Sequence, residues 1–450
     1  MKLGVRLSGW WDDLRDSLWL IPTVTVLLAV LLAPLLALLE PLPSWLPAAA
    51  VFGGTPDGAR AILAQLAGAT ITVVGLVFSL TVVALQMAAS QFTPRLLRTF
   101  LRDRRVQVVL SGMIGSAVYA VGVLRLVRTE GQDVEPFVPR FAVTVALVLS
   151  FLAVGLLLYF VHHVTQHLRV DVVMNEVVAH ARRQLAAVPG DRDTIPDRLA
   201  PDPPQAAVPV WARLDGYLQL VDVERLAASA REAGVRLRLR PTLGDWVTKG
   251  TTLAWAWSDQ DTVGPGDREE VSALVHRHVY LGVDRTETTD LAFGLRQLQD
   301  VATRALSPGV NDPTTAAMAI TQMSAVLCEY AGHPLGDDVI EDEDGDGELR
   351  VAAPRPGFGA LLELAVGGVR RYGASDPEVL EALLTLLIDV AEHVADTADR
   401  AAVVEAQIDR VLASADLADD VDRERVERVA RVAKETLRGG TRVATVAEAN

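Results

Sequence analysis

Four apolar runs, at residues 18–39, 62–89, 106–127 and 141–164, fill the first third of the chain, and no run of comparable length follows. Each reaches the roughly 20 apolar residues that a helix needs to cross hydrocarbon about 30 Å thick, and their interiors hold almost no charge. The sequence therefore predicts a four-helix transmembrane domain over 1–169, with everything beyond it outside the bilayer. Residues 1–50 do not read as a cleaved signal peptide, although Ala48 to Ala50 resemble a cleavage site, because the first run is too long and begins too far along the chain.

Basic residues predict the orientation. The link at 91–105 carries Arg95, Arg98, Arg102, Arg104 and Arg105 against Asp103, whereas the link between the first two runs carries Arg60. Positively charged links stay in the cytoplasm. Four crossings then return the chain to its starting side, giving a multi-pass plasma-membrane protein with both termini cytoplasmic. Trp10, Trp11, Trp19 and Trp45 flank the first run, where interfacial aromatics belong.

The net charge of −15 is unevenly divided. Residues 1–169 hold 13 basic and 9 acidic side chains, a net of +4, and the remainder holds 29 and 48, a net of −19. So acidic a region would repel phosphate backbones, which excludes nucleic acid as a partner. Cys328 is the single cysteine, so no internal disulfide can form.

A helical connector and linker are expected over 170–204, ending in a Pro- and Asp-rich stretch at 189–209. A small β-rich module follows at 205–262, with strands at 216–223 and 235–240, a third strand carrying Leu253, Trp255 and Trp257, and a short helix at 226–233. Within it Pro241, Gly244, Asp245, Trp246, Val247, Gly250 and Leu253 have the spacing of the hairpin in lipoyl-like domains and barrel-sandwich hybrids. Gly244 and Gly250 are the positions expected to take positive φ. Lys249 sits beside a turn glycine and not at a hairpin tip, so no carrier cofactor is expected. From 263 to 438 the pattern is α-helical, with helices expected at 267–279, 285–306, 312–330, 358–372, 377–394, 401–413 and 421–437, an acidic loop at 336–347, and a disordered tail from 439.

The most distinctive motifs are DRTETTD at 284–290, FGLRQL at 293–298 and RALSPGVNDPTTA at 304–316, together with LQMAASQFTPR at 85–95. With these motifs the chain resembles, over nearly its whole length, a bacterial family of predicted membrane proteins, the domain-of-unknown-function group numbered 2254. The resemblance implies four spans and a cytosolic domain and carries no activity. Physically, Asp312-Pro313 reads as an N-cap followed by proline at the first helical position. Arg296, Asp300 and Arg304 recur every four residues and can pair along one face. These residues with Asn311 and Asp312 either specify a helical hairpin or form a polar pocket, and an enzyme site there is one alternative.

Other constellations favour bland readings. Asp342, Asp344, Asp346 and Gly347 open like a calcium loop, but Ala353 stands where a bidentate Glu is required. His162, His163 and His167 cluster at the end of the fourth run without the ligands that would complete a metal site. Glycine-rich phosphate loops, nucleophile elbows and zinc-protease motifs are absent from the sequence.

The second run points to a function. Gly68, Thr72, Gly75, Ser79, Gln86 and Ser90 fall on one stripe with the spacing of a left-handed helical seam, interrupted by Val82. Small residues and hydroxyls on such a stripe serve either close helix packing or a water-lined path. Both imply a homo-oligomer within the lipid bilayer. The path reading makes the protein an ion channel with Gln86 at a constriction, Arg95, Arg98 and Arg102 at its cytosolic mouth, inorganic ions as partners and no cofactor. The alternative is a membrane-anchored sensor or scaffold without a pore. Ser111, Gly115 and Tyr119 of the third run, flanked by Gly112 and Ser116, form a second small-residue face.

Overall fold

A computed structural model describes residues 20–38, 51–91, 104–129, 136–167, 169–186, 199–258, 267–283, 285, 290–342, 349–394 and 397–439. The chain divides into two compact units, Met1–Val172 and Val173–Asn450.

The first unit is built from α1 (Leu20–Ala37), α2 (Pro56–Gln91), α3 (Arg104–Leu124) and α4 (Arg140–His167). All four are long and apolar enough to cross a bilayer. The second run is helical over 36 residues, or about 54 Å at 1.5 Å per residue, and so exceeds the hydrocarbon thickness. Helix α3 is the hub. In α3, 56% of the apolar stretch is buried, against 11%, 17% and 22% in the other three, and it packs on all of them.

Glycines make that central position possible. A Cβ added at Gly112, Gly115 or Gly122 would approach Leu156 to 2.7 Å, Thr25 to 2.6 Å or Ala33 to 2.9 Å. The missing side chains let α1 and α4 come close enough for dispersion contacts along the helices. Tyr119 is fully buried and donates to the Ala142 carbonyl at 3.1 Å, pinning α3 to α4. Thr144 accepts from the Phe52 backbone N–H at 2.8 Å, which fixes the approach to α2.

The second unit begins within α5 (Val170–Ala186) and contains β1 (Val208–Trp211), β2 (Gly216–Val221), α6 (Val223–Glu232), β3 (Val235–Leu239), β4 (Trp246–Val247), β5 (Thr252–Ser258), α7 (Asp267–His278) and β6 (Val279–Gly282). These are followed by α8 (Leu291–Ala305), α9 (Pro313–Ala331), β7 (Asp338–Glu341), β8 (Leu349–Ala353), α10 (Phe358–Tyr372), α11 (Pro377–Val394), α12 (Ala398–Ser414) and α13 (Asp420–Leu437). The strands form a five-stranded sheet in the order β1-β5-β3-β8-β7 and a three-stranded sheet in the order β4-β2-β6. Leu218, Leu226, Leu237, Leu253, Val275 and Val351 meet in the core between them.

Two expectations change here. The stretch read as an acidic loop contains β7, and β8, which follows just beyond it, pairs antiparallel with β7 and in parallel with β3 through Leu237 and Val351. The sheet therefore draws on residues well beyond 262. The Pro241–Leu253 hairpin has Gly244 at φ +84° and Gly250 at φ +81°, but its flanking strands lie in different sheets. Strand β4 pairs with β2, whereas β5 pairs with β1 and β3. The helical region is organised on α11, whose Leu380, Leu383, Leu384, Leu387 and Ile388 are buried against α9, α12 and α13. The tail beyond 439 lies outside the described residues.

Glycine packing at the hub makes a direct prediction. Gly122→Leu should destabilise the detergent-solubilised protein by about 2 kcal/mol, the usual scale of overpacking, seen as a lowered midpoint in thermal unfolding. An unchanged midpoint would show that α1 and α3 can separate without cost.

Candidate functional site

The stripe of α2 lies on the surface of the first unit. Gly68, Thr72, Gly75, Ser79, Val82 and Gln86 are all exposed. Ala61 and Gln65 extend the same stripe by one heptad and are exposed too. At Gly68 and Gly75 an added Cβ would meet no atom within 4 Å, the reverse of the α3 glycines. The small residues of the stripe are therefore not used to pack this protomer, which is done by the opposite face through Ala59, Leu63, Ala67 and Val77.

On either side of the stripe the exposed surface is large and apolar, with Ile71, Leu76, Phe78 and Val83. The Thr72 hydroxyl donates to the Gly68 carbonyl at 3.0 Å, so it is satisfied within the helix. The side chain of Ser90 and the residues Arg95, Arg98 and Arg102 fall outside what the structure describes. Of the histidine cluster, His163 is buried and stacks on Tyr159 with ring centroids 5.7 Å apart, while His162 is exposed. The side chain of His167 is also outside the described residues.

In the second unit the signature motifs converge on a buried ion pair. Asp290 caps α8 by accepting from the Ala292 N–H at 3.0 Å, so the helix expected from 285 starts at Leu291. The same carboxylate receives Arg285 through Nε at 2.9 Å and Nη2 at 2.5 Å. Arg285 also lies over the Phe293 ring, 5.8 Å from its centroid. Burial pushes the Asp290 carboxyl up, and Arg285 pulls it back. Gly244 closes over this pair: a Cβ there would collide with Asp290 Oδ2 and the Arg285 guanidinium. Nothing in the local periodicity of 241–253 marks this contact, since it joins two motifs some 40 residues apart.

The second half of the signature forms the turn between α8 and α9. Asp312 accepts from the Thr315 N–H at 3.0 Å and from its hydroxyl at 2.6 Å, and Pro313 opens the helix. These bonds hold the Asp312 carboxyl below its ordinary range. Asn311 takes φ +50°, the left-handed conformation that Asn tolerates best after Gly. Arg304 and Asn311 are exposed, and Arg296 and Asp300 are half-buried on α8. The turn brings Arg304, Asn311 and Asp312 together along the backbone, through Ser307 and an Asp312 N–H to Ala305 carbonyl bond of 2.9 Å. Both Asp312 oxygens are engaged in starting α9.

Residues 15–389 match the family described as Predicted membrane protein (DUF2254). The chain belongs to this family. It is 39% identical over 436 residues to uncharacterized proteins of Mycobacterium bovis and Mycobacterium tuberculosis, covering 96% of this chain and 82% of each relative. No solved structure matches it. The matched residues span α2, the Gly244 hairpin and the α8–α9 turn.

Three further features of this DUF2254 protein were not legible from motifs. Asp342, the first residue of the calcium-like pattern, is bonded by Arg350 and, at 3.2 Å, by Arg231 Nε. Arg350 lowers its carboxyl below the ordinary range, and the pair latches β7 to β8. Buried Arg400 reaches the carbonyls of Ala331 at 2.6 Å and His333 at 2.9 Å, placing a cation at the C-terminus of α9. Burial pushes the Cys328 thiol up to about 11, which favours the protonated form at neutral pH.

Gly244→Ala should be strongly destabilising, because it combines positive φ with a collision against a buried ion pair. We expect a loss of about 2 kcal/mol or more, with faster amide exchange in both the 241–253 hairpin and the start of α8. Exchange confined to the hairpin would mean that Gly244 does not hold the two motifs together.

Proposed function

We propose that this protein is an oligomeric ion-permeation protein of the plasma membrane, with α2 from several copies lining the path. The second unit then serves as a cytosolic assembly or gating domain, and both termini are cytoplasmic, in keeping with the arginines at 91–105. The observation that carries the reading is the contrast between two sets of glycines. Those of α3 are filled by neighbouring helices, whereas the α2 stripe presents Gly, Thr, Ser and Gln outward with open space at both glycines.

Lipid chains are a poor partner for that stripe. The Gln86 amide in hydrocarbon would leave donors and acceptors unmatched, at a cost of several kcal/mol on an apolar-transfer scale of roughly 4–8. Water, or a second helix that brings its own polar groups, removes the penalty. A closed ring of copies supplies both.

A sealed scaffold is the second reading, and the Thr72 bond to Gly68 favours it, because a hydroxyl satisfied within its own helix is suited to a dry seam. Gln86 separates the two readings. In reconstituted vesicles Gln86→Leu should suppress ion flux while leaving the oligomer intact, since Leu keeps the helix apolar enough to insert but removes the polar lining. Flux unchanged in a correctly assembled Gln86→Leu protein removes Gln86 from the mechanism, and loss of assembly supports the scaffold. Flux under ion substitution in the parent protein identifies the permeant ion.

A further inference from the structure

A cleft of about 570 Å³ opens in the second unit between β1, the turn before β5 and the first turns of α7. Its walls carry Trp211, Arg213, Lys249, Arg268, Glu269 and Ser272. The lining itself holds three cations and one carboxylate in a region whose net charge is −19, with the Asp215 carboxylate accepting from the Lys249 backbone N–H at 2.8 Å beside it. Among the described residues, Lys249 and Arg268 form no ion pair, and the Arg213 guanidinium bonds a hydroxyl, Ser272 Oγ, at 3.2 Å. Arg231, Arg350, Arg355 and Arg410 of the same unit, by contrast, are each held on a carboxylate. Trp211 is 53% exposed, an indole left in water beside the cations and on the edge strand of the five-stranded sheet.

Exposed aromatic surface next to unpaired cations is costly for a soluble face and useful for one class of ligand. Cations attract a phosphate through charge-assisted hydrogen bonds, and an indole offers a planar surface for a base. Glu269 adds an acceptor suited to ribose hydroxyls. The volume lies within the range of about 300–1,000 Å³ usual for small-molecule sites. We propose that this cleft binds a nucleotide, with its phosphates against Arg213, Lys249 and Arg268 and its base on Trp211. The site stands independently of whether the first unit conducts ions.

The test is a titration of the full-length protein in detergent with ATP and with GTP, using inorganic phosphate as a probe without a ring and dioctanoyl phosphatidylglycerol as a lipid headgroup. At least one nucleotide should bind. Arg213→Ala and Lys249→Ala should each weaken it about tenfold. Trp211→Ala should weaken nucleotide binding about tenfold and leave phosphate binding unchanged. These side chains are exposed, and unchanged circular dichroism melting of the three variants separates loss of the site from loss of the fold. Binding of neither nucleotide, or binding that all three substitutions leave unaltered, overturns the proposal. Equal affinity for phosphatidylglycerol, lost to the same substitutions, overturns the nucleotide class in favour of a lipid headgroup.

Discussion

Close approach of helices to α3 is the constraint on which the first unit depends. Three glycines along one helix admit Leu156, Thr25 and Ala33 to distances that any side chain would block. In a bilayer, where apolar burial gives no advantage of helix over lipid, such contacts and buried hydroxyl bonds are what hold a bundle together. Once α3 has taken the centre, α2 has one face left to pack, and it uses Leu63, Ala67 and Val77. The stripe of Gly68, Thr72, Gly75, Ser79 and Gln86 is thereby turned outward. The oligomeric reading follows from that arrangement more than from the composition of the stripe itself.

The second unit depends on a comparable contact between distant segments. Gly244 at positive φ lets a hairpin lie directly on the Arg285–Asp290 pair, and Asp290 in turn starts α8. The pair is nearly dry, so it contributes through position: removing either partner strands the other, whereas keeping both fixes how the hairpin meets the helix. Asp312 repeats the same logic at the start of α9, with Thr315 as its partner. The two aspartates thus mark the starts of consecutive helices in the family's signature segment.

Local periodicity made much of this legible. The four apolar runs, the helices at 358–372 and 377–394, the two left-handed glycines and the Asp312-Pro313 start all rest on residues within a few positions of one another. What escaped was non-local. Strand β8 was hidden because one partner, β3, lies more than a hundred residues away and the acidic residues separating it from the other, β7, read as solvated loop. Arg400 gave no sign that it would be buried under the end of α9. The central role of α3 was equally invisible, because a small-residue face looks the same whether it packs within a protomer or between copies. The three cations and Trp211 of the cleft come from three separate segments and meet only in the fold.

The central claim, that the stripe of α2 meets its counterpart in a second copy, can be tested by disulfide cross-linking in membranes. With Cys328→Ser as background, Ser79→Cys should give a covalent dimer under mild oxidation. Phe78→Cys, also exposed but about 100° around the helix, should remain monomeric. Efficient cross-linking at Phe78 with none at Ser79 would contradict the account and place the interface on the apolar face.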